Sequence, residues 1–264
     1  MKDILEEIVA WKRRELAQQK YDLPERELHA IVERVMSNGI EKRSMRRSLA
    51  DDSHGIIAEF KRRSPSKGWI HEEARPEDVV PAYASNGAAA ISVLTDEKYF
   101  GGNLSFIERV RPLVSLPIMR KEFIIDEYQL FQARRVGADA VLLIAADLKL
   151  EECRSLIDMA HELALEVLLE LHDEAELDYA ELDAEMIGVN NRHLGTFHTD
   201  VMHSFNMANR LPKEKLWVSE SGISNPDTIR RLRRVGYRGF LMGEHFMRAA
   251  NPGLALREFT LELL

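Results

Sequence analysis

Glu59 and Lys61 stand two residues apart in Ile56-Ile-Ala-Glu-Phe-Lys61, a run otherwise apolar enough for a buried strand. Strand alternation turns both side chains to one face. Ser64-Pro-Ser-Lys-Gly68 then breaks the strand with turn residues, leaving the pair at its C-terminal end, where parallel α/β folds bind ligands. One such strand could equally carry an ion pair at a sheet rim. The pattern recurs, however. Lys121 closes Pro117-Ile-Met-Arg-Lys121, and Glu170 closes Glu166-Val-Leu-Leu-Glu170. Burial and charged neighbours move the ionisation of such groups far from its ordinary range, so a lysine and a glutamate across a common mouth can act as acid and base. A purely structural pairing of the two is the alternative.

An anion site is expected further on. Ser219-Glu-Ser-Gly-Ile223 and Phe240-Leu-Met-Gly-Glu244 each bring a glycine to a strand end where a helix begins. Backbone N–H groups exposed there, with no Cβ in the way, bind phosphate; plain tight turns are the competing reading. The Glu244 carboxylate would repel phosphate, so its backbone N–H is assigned instead. His193, His198 and His203 recur at intervals that suit no single helix face, which argues against a metal site. His172 shares the strand face of Glu170, as a ligand contact or as a hydrogen-bonded neighbour. Ser64 and Ser66 have no evident activating base and are not read as nucleophiles. Arg230-Arg-Leu-Arg-Arg234 reads as a solvated helix face.

These groups need a scaffold. Eight apolar runs of strand length recur at intervals of roughly 25 to 30 residues: 56–60, 89–94, 116–119, 140–145, 167–171, 186–189, 216–218 and 239–242. Helical patterns lie between them, as at 127–136, 150–163 and 226–235, and the spacing predicts a (β/α)8 TIM barrel. Gly87, Gly137 and Gly236 sit where a helix gives way to the next strand. An open doubly wound sheet would need fewer strands and a glycine-rich dinucleotide turn after the first, which is missing. Residues 1–54 form an N-terminal helical extension: two helices broken at Pro24, then a charged connector over 40–54. The extension is expected on the barrel mouth, with 55–264 as the barrel of a single domain.

The chain has 264 residues, 45% of them hydrophobic, enough for a full core. Its 36 Lys and Arg against 44 Asp and Glu give a net charge of -8, which argues against a nucleic-acid partner. Cys153 is expected in the core, and a lone thiol fits a reducing compartment. Acids at the N-terminus stand where a signal peptide would be apolar, and no run reaches membrane-spanning length, so no membrane partner and a cytoplasmic location are expected.

Taken in order, the motifs Ile57-Ala-Glu-Phe-Lys-Arg-Arg-Ser-Pro-Ser-Lys-Gly68, Ile91-Ser-Val-Leu-Thr-Asp96 with Tyr99-Phe-Gly-Gly102, Arg120-Lys-Glu-Phe-Ile-Ile-Asp126, Ile187-Gly-Val-Asn-Asn-Arg192, Val218-Ser-Glu-Ser-Gly-Ile223 and Phe240-Leu-Met-Gly243 resemble the indole-3-glycerol-phosphate synthase family of tryptophan biosynthesis. The resemblance runs from about residue 1 to residue 253. It implies a carboxy-lyase that closes an indole ring on 1-(2-carboxyphenylamino)-1-deoxyribulose 5-phosphate with loss of carbon dioxide and water, using no cofactor and no metal. It assigns Lys121 as general acid on the keto oxygen and Glu170 to the proton exchanges of dehydration. Lys61 meets anionic groups of the substrate, and Glu59 assists dehydration. Asn190 and Arg192 orient the substrate, Asn190 and Ser221 counting among the catalytic positions. Ser221, Gly222, Gly243 and Glu244 cradle the phosphate with Lys61. Ser64 and Pro65 belong to a first loop that closes over the ring, Phe123 and Leu142 wall its slot, and Glu220 contacts substrate. The family usually has Ile at Phe60, often Asp at Glu122 and commonly Ser at Asn103, departures that bear on loop packing. Another phosphate-binding barrel enzyme such as phosphoribosylanthranilate isomerase would share the last two loops but not Lys61-Arg-Arg-Ser-Pro-Ser-Lys-Gly68, and a silent phosphate-binding barrel would keep the glycine loops and lose the charges. A monomer binding one small phosphorylated molecule is the simplest expectation.

Overall fold

The computed structural model describes residues 4–263 apart from Ile40, Lys42, Leu194 and Phe197; Met1 to Asp3, part of the acidic N-terminus, lie outside the described residues. Eight parallel strands close into a barrel in chain order. They are β1 (Ile56–Phe60), β2 (Ala90–Leu94), β3 (Ile118–Lys121), β4 (Ala140–Ile144), β5 (Glu166–Leu171), β6 (Met186–Asn190), β7 (Leu216–Glu220) and β8 (Gly239–Met242). The last strand pairs with the first, Ile56 beside Phe240 and Ala58 beside Met242.

Alternation sorts the strand residues into two shells. Ile56, Ala58, Val93, Val141, Leu169 and Val189 face the surrounding helices. Ile57, Ala90, Met119, Leu142, Leu168, Met186 and Val218 fill the barrel interior. Continuing the inward parity toward the C-terminal rim brings Glu59 after Ile57, Lys121 after Met119, Glu170 after Leu168, Asn190 after Met186 and Glu220 after Val218. One rule of pleating therefore aims all five polar groups at the same mouth.

The N-terminal extension spans both ends of this barrel. Helix α1 (Ile4–Asp22) buries Leu5, Ile8 and Leu16, and the same stripe carries Lys12. That lysine, 2% exposed, pairs with Asp96 at 2.9 Å and Glu122 at 3.0 Å, which pins α1 over the ends of β2 and β3. Helix α2 (Glu25–Ser37) packs beside the helix Glu127–Arg135, whose Tyr128 hydroxyl donates to the carbonyls of Gln19 and Leu23. The expected charged connector contains a third helix, α3 (Met45–Asp51), capped by Ser44, whose hydroxyl accepts from the Arg47 N–H. Met45 and Leu49, one turn apart and fully buried, enter the inner shell and close the N-terminal end of the barrel. Only part of the extension therefore lies at the mouth. The abundance of Arg and Asp hid a two-residue apolar stripe, which is all that a helix capping a barrel base needs.

Two loops also depart from the simple alternation. After β5 the chain forms a 3-10 helix over Glu174–Glu181, and the first loop carries a short hairpin, Arg63–Ser64 against Gly68–Trp69. Cys153 is fully buried, as expected, and burial pushes its thiol up to about 12.

Candidate active site

Two adjoining cavities open at the C-terminal rim. One, of about 770 Å³, is lined by polar groups from the first, sixth, seventh and eighth loops; the other, of about 140 Å³, is a narrower apolar slot. Glu59, Lys61, Pro65, Lys121, Arg192 and Ser221 line both, and so mark the junction.

At that junction the charges form a continuous chain. Lys61 Nζ lies 2.7 Å from Glu59 Oε1, and Lys121 Nζ lies 3.5 Å from Glu59 Oε2. Lys121 also donates to Glu220 Oε2 at 3.1 Å. Beyond Glu220, the Asn190 amide donates to Glu170 Oε1 at 3.0 Å. His172 Nε2 sits 3.0 Å from the same oxygen, as an ion pair off the line of a hydrogen bond. Burial disfavours every charge in this row, and neighbours decide the outcome. Burial works against the Glu59 carboxylate, yet Lys61 and Lys121 hold its ionisation below the ordinary range. Burial likewise opposes the Glu170 charge, and His172, Lys121 and Asn190 outweigh it. For Lys121 the three carboxylates of Glu220, Glu59 and Glu170 overcome burial and keep the ammonium protonated. Glu220 goes the other way. Burial, reinforced by the nearby Glu170 charge, pushes it up to about 8 despite Lys121.

The apolar slot is walled by Phe123 and Leu142, and also by Leu94, Phe100 and Ile144. The rings of Phe100 and Phe123 stand 6.0 Å apart, centroid to centroid. Ile4, Leu5 and Ile8 of α1 line the slot from above, which no strand pattern in the sequence could indicate. Ser64 reaches it from the hairpin, buried, its hydroxyl unpartnered among the described residues.

In the larger cavity Ser221 and Gly222 both adopt left-handed backbone, φ 67° and 76°. For serine this conformation is uncommon, and it bends the chain so that the next amides face the cavity. Among the described residues, the backbone N–H groups of Gly222, Ile223, Gly243 and Glu244 have no protein partner. Lys61, Lys67, Arg192, His245 and Arg248 surround the same space. The Glu244 carboxylate is neutralised by Arg248, with which it is ion-paired, and by Arg192 at 3.7 Å. Arg192 also donates to the Ser66 hydroxyl at 3.0 Å, tying the sixth loop to the first.

Every predicted site residue but one lines a cavity. Glu220, expected against substrate, is fully buried and lines neither; it stands behind Lys121, in the space left by Gly188, where a methyl group would overlap Glu220 Oε1. Among the described residues, no three His, Cys, Asp or Glu are grouped to hold a metal ion, and no helix is long and apolar enough to cross a membrane.

A closed parallel barrel with its ionisable groups on the C-terminal rim defines a (β/α)8-barrel enzyme. Solved structures agree on the fold. A mutant tryptophan synthase alpha-subunit from Pyrococcus furiosus superposes with a TM-score of 0.60 at 12% identity, over 80% of this chain and 98% of that one. A thiamine phosphate pyrophosphorylase from the same organism gives 0.58 at 16% identity, over 81% and 98%. Sequence relatives go further. The family model for indole-3-glycerol phosphate synthase matches residues 5–259. Proteins named indole-3-glycerol phosphate synthase are 58% identical over 98% of both chains in Bacteroides thetaiotaomicron, and 42% identical over 97% of both in Chromobacterium violaceum. The chain belongs to the indole-3-glycerol phosphate synthase family.

Proposed function

We propose that this chain converts 1-(2-carboxyphenylamino)-1-deoxyribulose 5-phosphate to indole-3-glycerol phosphate in tryptophan biosynthesis, as family membership implies. The observation that carries the assignment of roles is the position of Lys121, at the junction of an aromatic-lined slot and an amide-lined polar cavity. The substrate has the same two-part character, an aromatic ring at one end and a phosphate at the other. With its ring between Phe100, Phe123 and Leu142, and its phosphate against the amides of Gly222 and Gly243 with Lys61 and Arg192 nearby, the keto carbon falls beside Lys121.

From there Lys121 protonates the keto oxygen while the ring carbon attacks, and its buried ammonium is held ready by the carboxylates around it. Loss of carbon dioxide restores the aromatic ring. Glu170, held ionised, takes the proton that the methylene carbon beside the nitrogen gives up as water leaves, and Glu59 with Lys61 assists that departure. Asn190 fixes the Glu170 carboxylate, and Ser221 turns the phosphate loop. All the groups come from one chain, so a monomer suffices for this chemistry. A cytoplasmic location, with no nucleic-acid or membrane partner, is proposed on the acidic balance and the lone buried thiol.

The test is the appearance of indole fluorescence from the carboxyphenylamino substrate. A parent chain giving none would reject the activity. With Lys121→Ala the rate falls by about two to four powers of ten, and a variant as active as the parent would reject the role of Lys121.

A further inference from the structure

The overall reaction consumes a proton. The substrate enters as a carboxylate and leaves as carbon dioxide, so two protons go onto the departing oxygen and only one is released, from the methylene carbon beside the nitrogen. Lys121 supplies the first of the two and becomes a neutral amine. Something must restore it.

Glu220 is the group placed to do so. Its Oε2 accepts from Lys121 Nζ at 3.1 Å. Its Oε1 is buried with no N–H or O–H of the described residues directed at it, and it lies over Gly188, whose partner in register on β5 is Glu170. Two carboxyl groups brought together out of water cannot both stay ionised, and a proton on one satisfies the other. Glu170 already has Asn190 and His172 on its Oε1, both of which favour its charged form. The proton therefore belongs on Glu220. The charged and titratable groups that face Glu220 are Lys121 from β3, Glu170 from β5 with His172 just past its end, and, across Lys121, Glu59 and Lys61 of the first strand and its end; β6 contributes only the uncharged Gly188 and Asn190.

We propose that Glu220 is a proton store, a neutral carboxylic acid turned toward Glu170, that recharges the Lys121 amine after Lys121 has protonated the substrate. The proposal rests on the synthase reading. In the step, the Glu220 carboxyl swings its O–H from Glu170 to the Lys121 amine, that O–H breaks and a Lys121 N–H forms, giving a carboxylate beside a restored ammonium; solvent reprotonates Glu220 after product leaves. Glu220 touches no substrate and acts through Lys121.

The test has two arms. Infrared difference spectra of the ligand-free enzyme near pH 7 should show the C=O stretch of a protonated carboxylic acid that is absent in Glu220→Gln. Glu170→Gln removes the negative charge that keeps the proton on Glu220 and leaves Lys121 to favour the carboxylate, so the band should also vanish there, which covers a Glu220→Gln chain that fails to fold. In turnover, kcat of the parent should fall as pH rises past about 8, whereas Glu220→Gln should lose that limb, with kcat down by about a hundredfold and KM within about threefold. Normal turnover with no such band, or a Glu220→Gln enzyme keeping the parent's kcat and alkaline limb, overturns the proposal alone. A band without any turnover removes the synthase reading and the recharging with it, while the proton's place on Glu220 stands.

Discussion

Gly243 lies so close to Glu59 that a methyl group on its α-carbon would overlap the Glu59 carboxylate and approach its Cβ to 2.9 Å. The eighth strand's terminal glycine thus serves two ends at once: it leaves an amide open to the polar cavity and makes room for a carboxylate of the first strand. Gly243→Ala should therefore displace Glu59 from Lys61 and Lys121. Turnover is expected to fall about a hundredfold, the cost of misplacing a reacting group by about an ångström, with a stability loss of about 1–3 kcal/mol from overpacking. Steady-state kinetics alongside urea unfolding check both; unchanged kinetics would mean that Glu59 tolerates the shift.

Lys12 is the only cation of α1 inserted between two buried acids, Asp96 and Glu122. Lys12→Met leaves both carboxylates without that partner, and removing one member of a buried ion network costs about 3–5 kcal/mol. Burial opposes the Glu122 charge, but Lys12 and Arg120 hold it ionised below its ordinary range, a contribution present above the unfolded carboxyl value and lost as pH falls through the folded one. The stability gap between parent and variant should accordingly narrow in acid, as read by urea titrations at several pH values. A gap that widens in acid would contradict this ordering.

Glu220 carries the opposite sign. Its folded value is raised from 4.5 to about 8, so its contribution is complete below the unfolded value and lost as pH rises through the folded one. Parent stability relative to Glu220→Gln should decline between about pH 5 and pH 8 and level off above. Chemical denaturation across that range measures it, and a pH-independent difference would mean an ordinary carboxyl.

Phe100 faces Phe123 across the slot. Phe100→Ala should lower kcat/KM about ten- to hundredfold through a weaker hold on the aromatic ring, an apolar loss of about 1.5–3 kcal/mol. Inhibition by inorganic phosphate, which needs only the other cavity, should stay as in the parent. Equal weakening of both would argue against separate lobes.

The strands and the inward set of charges were legible because both follow from a period of two: Glu59, Lys121, Glu170 and Asn190 each continue an alternation begun by buried apolar neighbours. Glu220 obeyed the same parity, yet its isolation behind Lys121 depends on Gly188 in the adjacent strand, a cross-strand relation that a linear reading does not contain. Phe100 escaped notice because it lies in a short helix after β2 and belongs to no strand. Lys12 looked like one more charge on an amphipathic helix; only the meeting of α1 with Asp96 and Glu122 gives it a buried role. The sequence left His172 as either a ligand contact or a hydrogen-bonded neighbour of Glu170; it lines neither cavity and sits 3.0 Å from that carboxylate as an ion pair off the line of a hydrogen bond.

Because α1 roofs the slot while α3 stoppers the opposite end, trimming the first 54 residues would do two unrelated kinds of damage. Cutting before α2 strips the aromatic slot of its ceiling yet keeps the barrel sealed. Cutting after α3 uncorks the interior, exposing Ile57, Met119 and Leu168 to water from below. The leading segment is thus less an appendage than a tether whose two ends guard opposite doors, and a shortened relative would have to replace each guard separately.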